Sequence, residues 1–199
     1  IYTCFPYPNE PPGRRGRPGI DAAAFAVPLG SLDFWADRLA TYGVDAERRE
    51  RLGESLLRFE DPAGTRLELV AADAPVASWQ AGPVPTEHGI RGLHGVTTHP
   101  VDPYQTASVL ETLGLEQVAE SDDRVRYRAP GDHATVVDLL DREGEFGREG
   151  VGTIHHVAFR VDDGDLREWH DLFRDRDVRV SRIRDRHYYR AIYVREPGG

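Results

Sequence analysis

Apolar positions fall into three stretches that share one order: a short apolar run, a helix-period segment, then strand-like runs around a turn. Residues 22–29 (AAAFAVPL) form the first run, of the kind that makes a buried strand. Leu32, Trp35, Leu39 and Tyr42 then recur at three- or four-residue spacing. They predict one apolar helical face, with Ser or Asp at its start and Gly43 closing it. SLLRFEDPAGTRLELVAA (55–72) reads as strand, Asp-Pro-Ala-Gly turn, strand. The order recurs from 92: GLHGVTT, a helical TASVLETLGL with Val109, Leu110 and Leu113 apolar, then RVRYRAP, a Gly-Asp turn and HATVVDLLD. It recurs from 153: TIHHVAFRV, then DLREWHDLFRDRDV with Leu166, Trp169, Leu172 and Phe173 on one face, then VSRIRDRHYYRAIYVREPGG.

Each unit is β-α-β-β-β in outline, and the units begin about 60–70 residues apart. The turn Asp61-Pro62-Ala63-Gly64 matches Glu196-Pro197-Gly198-Gly199. A strand carrying Glu68 follows the first of these turns, and nothing follows the last. The chain also opens inside the strand-like IYTCF without Met, so both ends read as cut. Pro75–Gly89, with three prolines and two glycines, is the best linker, and REGEFGREGVG (142–152) is a second polar connector. Residues 6–19 (PYPNEPPGRRGRPG) read either as an exposed loop or as a disordered tail.

The charge balance narrows the partners. Among 199 residues, 34 acids face 25 bases, all arginine, for a net charge of -9. That excludes nucleic acid and anionic membrane as main partners, since both select basic surfaces. No apolar run reaches a bilayer's span of about 18 residues. The first residues lack the basic and apolar regions of a signal peptide. A single cysteine, Cys4, forms no internal disulfide, which points to a reducing, cytoplasmic setting. Cys4 itself reads as an apolar strand residue.

His155-His156 opens the third apolar run. Adjacent strand residues point to opposite faces, so at most one of the pair would be a ligand from this strand. Neutral imidazole binds metals well, although a bare His-His pair is also a common structural or exposed feature. Downstream, Arg184, Arg186, His187, Tyr188, Tyr189, Arg190 and Tyr193 crowd one segment. Arg offers a planar cation for an oxyanion and Tyr a phenolic donor; the alternative is a solvated Arg/Tyr strand pair. The other candidates read as structural. His94 is a structural His, and Glu68 has a solvated or packing role. His99, His133 and His170 look like surface or helix residues, and His88 falls in the linker. Trp35 and Trp169 occupy matching core positions.

The repeated units, HHVAFRV, the DPAG turn before LELV, and RDRHYYRAIYVREPGG together resemble the vicinal oxygen chelate superfamily. More narrowly they resemble its ring-cleaving dioxygenases acting on hydroquinones, and FPYP, GRRGRPG, VPLGSLDFWADRL and GLHGVTT fit that order. The resemblance covers nearly the whole chain. It implies an α+β fold of βαβββ modules pairing into curved mixed sheets around a cleft. The modules would divide the chain into 1–20 (remnant of module one and loop), 21–74 (module two), 75–91 (linker), 92–141 (module three), 142–152 (connector) and 153–199 (module four without its last strand).

In that family Fe(II), in some members Mn(II), is held by two His and one Glu, leaving positions open for substrate and O₂. The resemblance makes His156 a metal ligand and His155 a neighbour of substrate or oxygen. It gives Arg186 and Tyr193 to the same pocket, with a small aromatic substrate, O₂ and a homodimeric assembly. The family's first His and its Glu have no counterpart in the sequence. In unit three Gly95 takes the ligand position, with His94 aligned to His155. The alternative implied by the same superfamily is a non-catalytic binder of aromatic ligands, resembling bleomycin-resistance proteins.

Overall fold

The structure, a computed structural model, describes residues 2–6, 9–131, 134–162 and 164–199. His133 lies outside the described residues. Two β-α-β-β-β units account for the body of the fold. The first comprises β1 (Gly19–Val27), α1 (Leu32–Thr41), β2 (Glu47–Arg51), β3 (Glu54–Glu60) and β4 (Arg66–Ala71). The second comprises β5 (Leu93–His99), α2 (Pro103–Thr112), β6 (Glu116–Ser121), β7 (Arg124–Arg128) and β8 (Val136–Leu140). Within each unit the opening strand pairs in parallel with the last one, β1 with β4 and β5 with β8. The opening strands pair antiparallel with each other, Ala24 facing Gly95. The result is one mixed eight-stranded sheet, ordered β2-β3-β4-β1-β5-β8-β7-β6.

Alternation along the strands builds its two faces. Val27, Leu57 and Leu69 turn outward onto Leu32 and Trp35 of α1. Tyr127, Val137 and Leu139 do the same against Leu110 of α2. Asp102 caps α2 by accepting hydrogen bonds from the Tyr104 and Gln105 amides, at 3.0 and 3.1 Å, and Pro103 follows at the first helical position. The inner face carries Ala24, Leu56 and Val70 together with a set of paired charges.

Residues 11–20 are neither a tail nor a free loop. They run beside the connector 145–154 through bridges Pro12–Val151, Arg14–Arg148, Arg17–Phe146 and Ile20–Ile154. Arg14 and Arg148 exchange both backbone hydrogen bonds at 2.8 Å. The glycines of both segments permit this approach: a Cβ on Gly16 would overlap the Glu145 carbonyl oxygen, and one on Gly147 the Pro18 carbonyl oxygen.

The third unit departs from the sequence expectation. Its helix forms as α3 (Leu166–Asp175), but residues 155–160 are not a strand. The reason is visible in the first two units. An opening strand there is held by the last strand of its own unit and by a partner unit's opening strand, and among the described residues 155–160 have neither. Downstream the two-residue strands β9 (Arg184–Asp185) and β10 (Arg190–Ala191) pair, and an isolated bridge joins Val180 to Val194. Trp169, expected in the core, is half-buried, because only Leu166 and Phe173 of α3 are covered. Residues 2–6, expected as a strand, are extended coil with Cys4 exposed. The two matched turns are built alike: Asp61 Oδ1 accepts from the Ala63 and Thr65 amides, and Glu196 Oε2 accepts from the Gly198 amide. No helix among the described residues is long and apolar enough to cross a membrane.

Gly16→Ala and Gly147→Ala are each expected to destabilise the fold by about 2 kcal/mol, the usual cost of forcing atoms into a filled space. The measurement is thermal unfolding, with a loss of roughly 4–8 °C. An unchanged melting temperature would show that the two connectors do not need this contact.

Candidate functional site

Backbone bridges at both ends bring the third unit's polar residues together. Ile154 is tied to Ile20, and His155 and His156 follow directly. Val180 is tied to Val194, the Ser181 amide donates to the Tyr193 carbonyl at 2.8 Å, and the Tyr193 amide donates to Ser181 Oγ at 3.0 Å. Between these ends the chain doubles back at 185–190: the Arg186 amide donates to the Tyr189 carbonyl at 2.9 Å. His187 occupies the left-handed region, with φ of 69° and its amide donating to Asp185 Oδ1 at 2.9 Å. The Glu196–Gly199 turn docks on α2, the Gly198 carbonyl accepting from the Val101 amide at 2.8 Å and Glu196 Oε2 accepting from Thr106 Oγ1 at 2.9 Å.

The side chains converge as follows. Arg186 Nε donates to the Tyr193 hydroxyl at 3.0 Å, and the guanidinium carbon lies 5.3 Å from the Tyr193 ring centroid. The Tyr193 ring meets His156 edge-on, centroids 6.2 Å apart. His155 Nδ1 and His156 Nδ1 are 3.0 Å apart, so one of the two nitrogens carries a proton and the other accepts it. Phe5 lies on a further side of His156, at 6.3 Å; sequence reasoning passed over it, although the FPYP run was the signal. Loss of water around His156, followed by the charge of His155, holds its pKa below the usual imidazole range, which favours a neutral ring. Tyr188 and Tyr189 point to solvent. His156 supplies one imidazole donor, but no group of three His, Cys, Asp or Glu able to hold a metal ion comes together among the described residues. These residues do not complete a metal centre by themselves.

A second cluster, unforeseen from sequence, fills the inner face of the eight-stranded sheet. Asp138 on β8 accepts from Arg126 Nε at 2.7 Å and Arg124 Nη1 at 2.9 Å, and Arg51 Nε lies 3.3 Å from it. Glu68, read from sequence as solvated or packed, is fully buried on β4 and paired with Arg51 at 2.6 Å and Arg58 at 2.8 Å. Glu54 bridges Arg126 Nη1 at 2.6 Å and His94 Nε2 at 3.0 Å. Burial alone would raise the Glu54 pKa; the polar contact and charge of His94, with Arg126, outweigh it and hold it at about 2. The available signal was charge alternating with apolar residues, Arg124-Val-Arg126 and Leu67-Glu68-Leu69.

The remaining histidines divide differently from expectation. His99 is not a surface residue: it is buried at the end of β5, its Nε2 2.8 Å from the Arg142 carbonyl oxygen. His88 stacks on Phe34 at 4.3 Å and meets Ser31 Oγ at 3.1 Å. His170 pairs with Asp171 on α3. Gly95, which aligns with His156, has no room for a side chain, since a Cβ there would overlap the Val136 carbonyl oxygen. Ligation from that position is sterically closed.

Comparison with known proteins agrees with this architecture. Residues 109–199 match the model of the Glyoxalase/Bleomycin resistance protein/Dioxygenase superfamily. The chain is 37% identical, over its whole length, to the protein named "Putative ring-cleaving dioxygenase MhqO" of Bacillus subtilis strain 168, covering 64% of that relative. It is 31% identical, again over its whole length, to "Chlorohydroquinone/hydroquinone 1,2-dioxygenase" of Sphingobium indicum, covering 66% of it. A crystal structure described as a putative dioxygenase from Bacillus subtilis superposes on 98% of the chain with a TM-score of 0.93 at 37% identity, the match covering 64% of that structure. The chain thus spans just under two thirds of the relatives it matches.

The Glu54 pair makes stability depend on pH. Its folded pKa of about 2 lies below the ordinary 4.5, so its stabilising contribution is complete above 4.5 and is lost as pH falls from there toward 2. Denaturant unfolding across that window is expected to show a shallower loss of stability in Glu54→Gln than in the parent protein. Parallel slopes would contradict the assignment.

Proposed function

The chain belongs to the Glyoxalase/Bleomycin resistance protein/Dioxygenase superfamily, and from that premise we propose that it acts as a ring-cleaving dioxygenase of the extradiol type. The substrate would be a hydroquinone- or catechol-like ring, opened beside a hydroxyl with O₂. The observation that carries this reading is the convergence of His155, His156, Arg186 and Tyr193 in a chain similar along its whole length to a hydroquinone dioxygenase.

On this reading His156 is one ligand of a divalent metal, Fe(II) or Mn(II), and the ion would need donors beyond those the described residues assemble. When bound, such an ion supplies a site for substrate oxygen and O₂ together. The roles of the chain's own residues follow from their contacts. If His156 Nδ1–H donates to His155 Nδ1, its Nε2 lone pair is left free for ligation and its ring is fixed. Arg186 offers a fixed cation to a ring oxygen that has lost its proton, and Tyr193, oriented by Arg186, offers a hydroxyl at the same place. His155, whose Nδ1 then accepts from His156, carries its own proton on Nε2 and can donate it to a substrate or oxygen anion. The Phe5 and Tyr193 rings flank His156.

The test is oxygen uptake by the purified full chain, loaded anaerobically with Fe(II) and given hydroquinone or chlorohydroquinone. One O₂ consumed per ring opened is expected. His156→Ala should abolish uptake, and Arg186→Ala should lower kcat/KM about 100-fold, the scale seen when one charge-stabilising donor is removed. Saturable hydroquinone binding without uptake at any metal loading would overturn the reading in favour of a non-catalytic aromatic-binding protein.

A further inference from the structure

The inner face of the eight-stranded sheet ends in a cleft of about 310 Å³, large enough for a single aromatic ring. Its walls include Ala26, Ala72 and Leu93, and its polar groups include Glu54, His94 and Arg128. It shares none of these residues with the His156 cluster. The small side chains of Ala26 on β1 and Ala71 on β4 leave the space, and Arg126 behind Glu54 neutralises that carboxylate. Asp73 at the mouth offsets Arg128, so the cleft favours no strong charge.

His94 is the polar group with unused capacity. Its Nε2 is buried 3.0 Å from Glu54 Oε1 without the alignment of a hydrogen bond. In the neutral ring the charge of that carboxylate favours the proton on Nε2 over Nδ1, which leaves Nδ1 as a lone-pair acceptor. Nδ1 makes no hydrogen bond among the described residues, and His94 lines the cleft. Opposite it, Gly95 pairs with Val136, and Val136 with Arg128. The backbones beside His94 and at Arg128 are therefore two strand spacings apart, about 10 Å. Arg128 is exposed and has no ion-pair partner among the described residues, so its donors are free to reach inward.

We propose that this cleft is a second binding site, taking a neutral hydroxylated aromatic whose ring hydroxyl donates to His94 Nδ1 and whose far oxygen accepts from Arg128. The site is independent of ring cleavage.

Titration with 4-methoxyphenol, followed by calorimetry and by the amide signals of Gly95 and Thr135, tests the proposal. Saturable binding is expected, weakened at least tenfold in His94→Phe and clearly reduced in Arg128→Gln, whose exposed position poses no folding question. 1,4-Dimethoxybenzene, which lacks the donor hydroxyl, should bind at least tenfold more weakly than 4-methoxyphenol. His156→Ala should bind 4-methoxyphenol as the parent does. Absence of saturation, equal binding of the dimethoxy compound, or loss in His156→Ala with retention in both cleft variants would overturn it. The last result would place the ligand at the dioxygenase site and leave that reading standing.

Discussion

Asp138 and Glu68, both essentially excluded from water, can exist in this fold only because arginines surround them. An unpaired buried carboxylate would cost several kcal/mol, whereas a fully hydrogen-bonded one roughly breaks even. What this arrangement adds is connection. Arg51 comes from β2 of the first unit and reaches Asp138 on β8 of the second; Arg126 comes from β7 and reaches Glu54 on β3. The two units therefore share charges across the β1–β5 seam, on top of the pairs each carboxylate makes inside its own unit, Glu68 with Arg58 and Asp138 with Arg124.

The same lattice fixes where ligands can and cannot go. Glu68 on β4 and Asp138 on β8 sit at corresponding positions of the two units, beside Ala24 and Thr97, and their oxygens are committed to guanidinium groups. With Gly95 closed to any side chain, the deep inner face is a packed ionic layer, and a cleft opens at the His94 end. The His156 cluster lies apart from this layer, held by isolated bridges at Ile154 and Val180 and by the paired connectors. Its residues meet because the chain doubles back at 185–190, not because a sheet imposes a register.

Much of the fold was legible in sequence where periodicity and turn chemistry agreed. AAAFAVPL, TASVLETLGL and VVDLL each state their period unambiguously, and the Asp-Pro-Ala-Gly turn declares itself by its side chain. TIHHVAFRV has the same pattern as GLHGVTT yet forms no strand, because strand formation depends on partners that a pattern does not supply. The convergence of His156, Arg186 and Tyr193 depended on the 185–190 reversal, which alternation alone would not give. The ionic layer stayed hidden for another reason. Arg and Glu are read as exposed by default, and only their alternation with Leu and Val marks them as facing inward.

The two units form one cooperative body joined by the buried charges. Native-state hydrogen exchange on Asp138→Asn measures this most directly. Removing one partner of a buried ionic group costs about 3–5 kcal/mol. The slowest amides of β1 and β4 are expected to lose protection by the same factor as those of β5 and β8. Loss confined to β5–β8, with β1–β4 unchanged, would contradict it and show two units that merely adjoin.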